Sequence, residues 1–268
     1  DDPIEVTWRF DVDGKRVASD TALFKIPPGE AQEYAINFFV PETGTLRSGT
    51  FAVEAKRGQE TVFLDSKPVR ILAPDSIAKP RIPKNKLAVY DPAGSLHRYL
   101  AAREIRFTAI TSYGQIPSDA EVIVVGSDAI PTDRSRDTLW LSLAAEGKKI
   151  VILDQFAPLC FQSLPGNLTP TQFAGRFGFS EDLSHPIFEG LEQEDFFTWG
   201  NDHIVYRNAY RKGTHGGRSL LQCDDGLACT ALFESQVNDG LLIVSQLDIG
   251  RKLATEGVAQ QVFSNMLN

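Results

Sequence analysis

Only three cysteines occur in 268 residues, an odd count that excludes a disulfide framework as the organising device. Cys223 and Cys229 lie close enough to bridge across a turn in an oxidising compartment, though two buried thiols on adjacent strands is the plainer expectation. Histidine is almost as scarce. His97, His185, His203 and His215 include no pair at a spacing of two to four, so no metal site and no cofactor are expected. No apolar run approaches the ~20 residues of a membrane-spanning helix. Basic residues are scattered through a chain of net charge −8, which speaks against nucleic acid as a partner, as the missing apolar run does against a membrane. The chain opens Asp1-Asp2-Pro3 without an initiator Met or a signal-peptide pattern, and reads as a processed or excised piece.

What is present centres on residues 121–155. Val122-Ile123-Val124-Val125 is a continuous apolar run that stops at Gly126-Ser127-Asp128, and Ile150-Val151-Ile152-Leu153 is a second that stops at Asp154-Gln155. Between them Thr138 to Ala145 has helical character and ends at Gly147. Runs without polar alternation belong to strands covered on both faces. Strand, helix, strand at this spacing predicts a parallel crossover. Ligands of parallel sheets bind beyond the carboxyl ends of the strands. Ser127, Asp128, Asp154 and Gln155 are therefore candidate pocket residues, together with Asp91, which ends the apolar run Leu87-Ala88-Val89-Tyr90.

Residues 1–73 read as all-β. Val6, Trp8, Phe10 and Val12 alternate onto one face, Asp13-Gly14 is a hairpin signal, and further strands are expected at 21–26, 33–40, 49–56 and 60–72. Short strands at this spacing predict a β-sandwich, here with one strand fewer than usual, as if truncated. Pro74, Pro80 and Pro83 mark residues 74–86 as a semi-rigid linker. From 87 to 268 the pattern is α/β. Ser95 is placed as the N-cap of a helix through Arg103, another helix is expected at 171–177, and strands at 105–110, 203–206, 219–223, 230–234 and 241–245. A closing helix from Leu253 to Leu267 sets Val258, Val262, Phe263 and Met266 on one face.

The residues able to do chemistry are poorly arranged for it. Gly126-Ser127-Asp128 lacks the second glycine of a nucleophile elbow. Cys160 is flanked by Leu159 and Phe161 and reads as a packed thiol. His185-Pro186 and Asp202-His203 bracket an aromatic-rich segment containing Phe188, Phe196, Phe197 and Trp199; His185, Trp199, Asp202 and His203 are candidate pocket residues too, with a hydrogen-bonding role the plainer expectation for both histidines. Glu189, Glu192, Glu194 and Asp195 offer carboxylates in the same segment, where aromatic rings beside acids could also stack on a sugar.

Two family resemblances attach to these stretches. Val122 to Gly126, Leu139 to Leu153, Ser184 to Leu191, Ala231 to Leu247 and the final Gln260 to Leu267 resemble a class I glutamine-amidotransferase-like domain. That resemblance implies a flavodoxin-like three-layer α/β fold, also found as an accessory domain in β-galactosidases. Trp8, Pro28-Gly29 and Val40-Pro41 resemble the immunoglobulin-like sandwich of family-2 glycoside hydrolases. Active amidotransferases carry a cysteine in a Gly-x-Cys-x-Gly elbow where this chain reads Leu153-Asp154-Gln155-Phe156-Ala157, and His-x-Glu where it reads Ser245-Gln246-Leu247-Asp248. The resemblance thus implies a non-catalytic accessory region of an extracytoplasmic glycoside-hydrolase-like protein, partnered by that protein's catalytic domain or by further copies. Two other readings stand beside it. One is a divergent hydrolase using Cys160 or Asp154 with His185; the other is a carbohydrate-binding module centred on Trp199 and His203.

Overall fold

A computed structural model describes residues 2–40, 43–73 and 76–268. Asp1, Pro41 of the Val40-Pro41 motif, and Pro74 of the expected linker lie outside the described residues. The chain divides into two compact units, Asp1–Ile77 and Ala78–Asn268.

The first unit is one antiparallel sheet. Its strands are β1 (Ile4–Val12), β2 (Lys15–Phe24), β3 (Arg47–Arg57) and β4 (Glu60–Ile71), in the order β2-β1-β3-β4. Asp13 and Gly14 close the β1–β2 hairpin with φ of 48° and 75°, the left-handed backbone that a two-residue turn demands. Trp8 and Phe10 lie opposite Val53 and Phe51 of β3 and form the buried face. Phe38 covers that face, its ring centroid 4.7 Å from Phe10 and 5.6 Å from Trp8.

This corrects the expectation of an immunoglobulin-like sandwich. Among the described residues of the first unit there is no second sheet, and residues 33–40 form no strand. Alternation supplies that segment with an apolar face but not with a neighbour to hydrogen-bond, so it lies on the sheet as irregular backbone. Tyr34 and Val40 of the alternating set stay exposed. The edge strand β4 is also uncovered over most of its length, with Val62, Phe63 and Leu64 exposed.

The second unit contains β5 (Leu87–Tyr90), α1 (Ser95–Ala102), β6 (Thr108–Ala109), β7 (Val122–Val125), α2 (Leu139–Ala145) and β8 (Lys149–Ile152). There follow β9 (Thr169–Pro170), β10 (Phe179–Ser180), β11 (Tyr210–Arg211), β12 (Arg218–Cys223), β13 (Cys229–Val237), β14 (Gly240–Ser245), α3 (Ile249–Lys252) and α4 (Gly257–Leu267). All ten strands join one mixed sheet with the main path β10-β12-β13-β14-β8-β7-β5-β6, while β11 pairs with β13 and β9. The crossover at 122–152 is present, with Val122↔Lys149 and Val125↔Ile152 in parallel register. Pairing is parallel from β14 through β8, β7 and β5 to β6, and antiparallel among the remaining strands.

The flavodoxin-like, amidotransferase-like three-layer expectation is therefore corrected as well. The chain is mostly β, its large sheet is mixed, and helices are few and short. After residue 152 the sequence supplies short strands joined by turns instead of repeated strand–helix units. The helix expected at 171–177 does not form. A Cβ at Gly175 or Gly178 would collide with the Tyr206 ring or the Leu221 side chain, so this stretch lies flat against its neighbours, bridged to Tyr206 and Phe197. Residues 203–206, expected as a strand, make only isolated bridges.

Local signals position the edge where the parallel strands end. Helix α2 stops at Gly147 (φ 92°), whose N–H donates to the Ala144 carbonyl while Lys148 N–H donates to Leu143, a Schellman closure. Helix α1 begins at Ser95, the residue expected as its cap, and Gly94 holds the cap position without a side-chain bond. The capping oxygen instead comes from Asp91, whose Oδ2 accepts from Leu96 N–H at 2.7 Å. In α4, Val258, Val262, Phe263 and Met266 are all buried. Ser264 Oγ donates to the Ala78 carbonyl at 2.5 Å and Arg81 N–H to Asn268 Oδ1 at 2.7 Å, so residues 78–81 are tied to this helix. Cys223 and Cys229 face one another across β12 and β13, both buried and with free thiols.

Gly240, at the start of β14, has no space for a side chain, because a Cβ would run into the Ala144 and Lys148 carbonyl oxygens. Gly240→Ala is expected to lower the unfolding free energy by about 1–3 kcal/mol in urea denaturation. Gly226→Ala, with open space around it, should stay within about 0.5 kcal/mol of the parent chain.

Candidate functional site

Four of the candidate residues converge. β7 and β8 end side by side, so Ser127 and Asp128 follow one strand while Asp154 and Gln155 follow its parallel neighbour. Ser127 Oγ donates to Asp154 Oδ1 at 2.6 Å, and Asp128 N–H donates to the Asp154 carbonyl at 2.9 Å. Asp128 takes a left-handed φ of 52°, held there by Phe156 N–H donating to its Oδ1 at 2.5 Å. Gln155 is an internal brace. Its amide donates to the Gly126 and Leu153 carbonyls and its Oε1 accepts from Ile130 N–H, so both ends of the side chain are occupied.

Arg207 joins the two carboxylates. Its Nη1 donates to Asp154 Oδ2 at 2.6 Å and to Asp128 Oδ2 at 2.8 Å. Its backbone N–H donates to the Gln246 carbonyl at 2.9 Å, which anchors the residue to the end of β14. Asp154 is fully buried, whereas the Asp128 side chain is 44% exposed. Burial pushes the Asp154 carboxyl up to about 6, against the opposing pull of Ser127 and Arg207 and with the Asp248 charge adding to the rise.

A second set of charges adjoins this one. Arg251 donates to both oxygens of the buried Asp248 carboxylate, Nε to Oδ1 at 2.7 Å and Nη2 to Oδ2 at 2.6 Å. Lys252 Nζ donates to the Trp199 and Ile204 carbonyls and to Asp202, and lies 3.6 Å from Asp248. The Lys252 contact holds the Asp202 carboxyl below its ordinary value, aided by the Ile204 amide.

The remaining candidates sit elsewhere or face inward. Asp91 is buried, and its Oδ1 packs so closely on Gly126 that a Cβ there would approach to 2.7 Å. His185 Nδ1 accepts from Ile187 N–H, which leaves the Nε2 proton to point at Glu234 Oε1, 3.2 Å away. Glu234 also accepts from Arg218 Nε at 2.8 Å. Trp199 is 1% exposed and its indole N–H donates to the Asp195 carbonyl, so its ring offers no stacking surface. His203 is exposed on a turn with φ 60°. Among the described residues no group of three or more His, Cys, Asp or Glu side chains could hold a metal ion, and no helix is long and apolar enough to cross a membrane.

Sequence reasoning missed Arg207, which stands alone among aromatic and amide residues with no motif around it. Asp248 with Arg251 and Lys252 was missed as well, although charges at i, i+3 and i, i+4 were a signal that could have found it. As chemistry, the cluster is closed. Ser127 Oγ faces Gly250, where even a methyl group would collide with it, so that side offers a substrate no approach. The side chains bonded to the Asp154 carboxylate are the Ser127 hydroxyl and the Arg207 guanidinium, neither of them a thiol or an imidazole.

No family model matches the chain, and no curated protein does. Solved structures similar in shape include cytoplasmic protein STM3548 from Salmonella typhimurium, with 10% identity and a TM-score of 0.45 over 82% of this chain and 94% of that one. Cytoplasmic protein STM1381 from Salmonella typhimurium LT2 is similar at 12% identity and a TM-score of 0.46, over 80% of this chain and 92% of that one. β-Galactosidase and mannosidase chains are also among the neighbours. The cold-adapted β-galactosidase from Rahnella sp. R3 matches at 11% identity and a TM-score of 0.40, over 66% of this chain and 31% of its own length. Likenesses at these values carry no argument about activity.

The Asp154–Arg207 pair has a measurable signature. Because the folded carboxyl sits at about 6 and the ordinary value is 3.8, the native state holds a proton between those values that the unfolded chain has released. That contribution to stability is full below the lower value and lost as pH rises through the upper one. Asp154→Asn is expected to flatten this part of the stability–pH curve. Arg207→Met strands the buried charge and should cost about 3–5 kcal/mol at pH 7.5 in urea titrations, with a smaller deficit at pH 5 where Asp154 takes up a proton.

Proposed function

We propose that the chain is a non-catalytic accessory region of a glycoside-hydrolase-like protein, with an architectural role beside a catalytic domain of that protein or in contacts between copies. The observation that carries this reading is the state of the strand ends. Where a nucleophile at the end of β8 would have to stand, Asp154 is buried, paired with Arg207 and tied to Ser127. Gln155 is consumed in backbone hydrogen bonds. Polar groups so engaged hold strands together; a nucleophile needs an open approach and a base within about 3 Å. The sequence resemblance to β-galactosidase accessory domains supplies the parent class, which this reading adopts on that ground alone.

The hydrolase alternative requires His185 beside Cys160 or Asp154. The imidazole is instead directed at Glu234, and no observation favours that reading.

The purified chain is expected to turn over neither aryl glycosides, nor nitrophenyl esters, nor glutamine above the buffer rate. Turnover removed by Cys160→Ala, Asp154→Asn or Ser127→Ala would overturn the proposal.

A further inference from the structure

A cleft at the antiparallel end of the large sheet shares no lining residue with the strand-end cluster. It is an open depression of about 420 Å³, within the range of small-molecule sites, ~300–1,000 Å³. Phe177, Phe179 and Tyr206 line it with aromatic surface, and Arg176, Asp224 and Asp225 supply charge. Phe177 is 49% exposed and Phe179 36%. Rings of that size left open on one wall forgo burial unless something covers them.

The walls are pre-formed. Phe179 belongs to β10 and pairs with Gln222 of β12, and Phe177 bridges to Phe197. The Phe197 ring stands between the two, 5.4 Å from each centroid, and braces both. Gly178 is pressed so tightly on Leu221 that a Cβ would not fit, so the two phenylalanines cannot swing with their backbone. The opposite wall is the turn between β12 and β13. Asp224 takes φ 77° there, its Oδ1 accepts from Asp225 N–H at 2.8 Å and its carbonyl from Leu227 N–H at 3.0 Å. A binding surface fixed before the ligand arrives loses less entropy on binding.

The charge pattern selects the occupant. Two carboxylates against one guanidinium disfavour an anion, and a donor-only cation leaves the guanidinium without an acceptor. A neutral polyol uses both signs, because its hydroxyls donate to Asp224 and Asp225 and accept from Arg176. Phenylalanine carries no hydrogen-bonding atom, so its contribution is contact with an apolar face. A pyranose ring combines a C–H face with a hydroxyl edge.

We propose that the cleft formed by Phe177, Phe179, Tyr206, Arg176, Asp224 and Asp225 binds a neutral saccharide, the phenylalanines stacking on its C–H face. The inference rests on these residues and not on the accessory reading, so either can fail without the other.

Titration of the ¹⁵N-labelled chain with lactose, cellobiose and β-1,4-mannobiose, followed by amide shifts, tests it. At least one sugar is expected to saturate with a Kd in the ~0.1–10 mM range, with shifts centred on residues 176–179 and 224–227. Phe177→Ala and Asp225→Asn, both at exposed positions, should each weaken that sugar by about tenfold or more while amides outside the cleft keep their positions. Absence of shifts with all three sugars, shifts centred elsewhere, binding indifferent to both substitutions, or tighter binding of propylammonium or inorganic sulfate would each overturn it.

Discussion

One guanidinium holds the carboxyl edge of the parallel strands in register. Arg207 reaches Asp128 after one strand and Asp154 after the next, while its own amide is fixed to the end of a third through Gln246. A buried carboxylate pays heavily in lost hydration, and here the return is positional, since three segments distant in sequence are set by one planar donor. The turns after Val125 and Ile152 follow from that arrangement. Asp128 adopts a left-handed conformation that an unpaired residue would avoid, and Gln155 fills the space between the turns with amide hydrogen bonds.

The neighbouring Asp248, Arg251 and Lys252 extend the same principle toward the aromatic segment. Lys252 gathers the Trp199 and Ile204 carbonyls, so the loop carrying Trp199, Asp202 and His203 is anchored by its backbone. Trp199 then points inward beside Phe196, with ring centroids 6.4 Å apart. Anchoring and exposure compete for the same ring. A tryptophan used to seat a loop is not available to a ligand, whereas Phe177 and Phe179, seated by Phe197 and a tight glycine, keep a face open.

The parallel crossover was legible because Val122–Val125 and Ile150–Leu153 are apolar without alternation and Gly147 marks the helix end, three signals that agree. The same logic placed Ser127, Asp128, Asp154 and Gln155 together at the strand ends. Layering was not legible. Alternation at Tyr34, Ile36, Phe38 and Val40 describes a face and says nothing about whether a strand lies alongside, so the second sheet of the expected sandwich has no counterpart. Residues 171–177 likewise read as helix until tertiary packing at Gly175 and Gly178 is known. Arg207 was invisible for a related reason: the contact that matters joins positions 53 and 79 residues apart, and no local pattern records it.

The outer edge of the first sheet has a consequence for how copies of the chain behave at high concentration. Among the described residues strand β4 is an edge of its sheet, with Val62, Phe63 and Leu64 in solvent, the profile of a template for adventitious ladder growth. Pro68 interrupts that margin with a residue that cannot donate, and Asp65 and Lys67 charge its centre. Self-templating is thereby confined to the stretch before Asp65, too short to nucleate a fibril-like stack on its own.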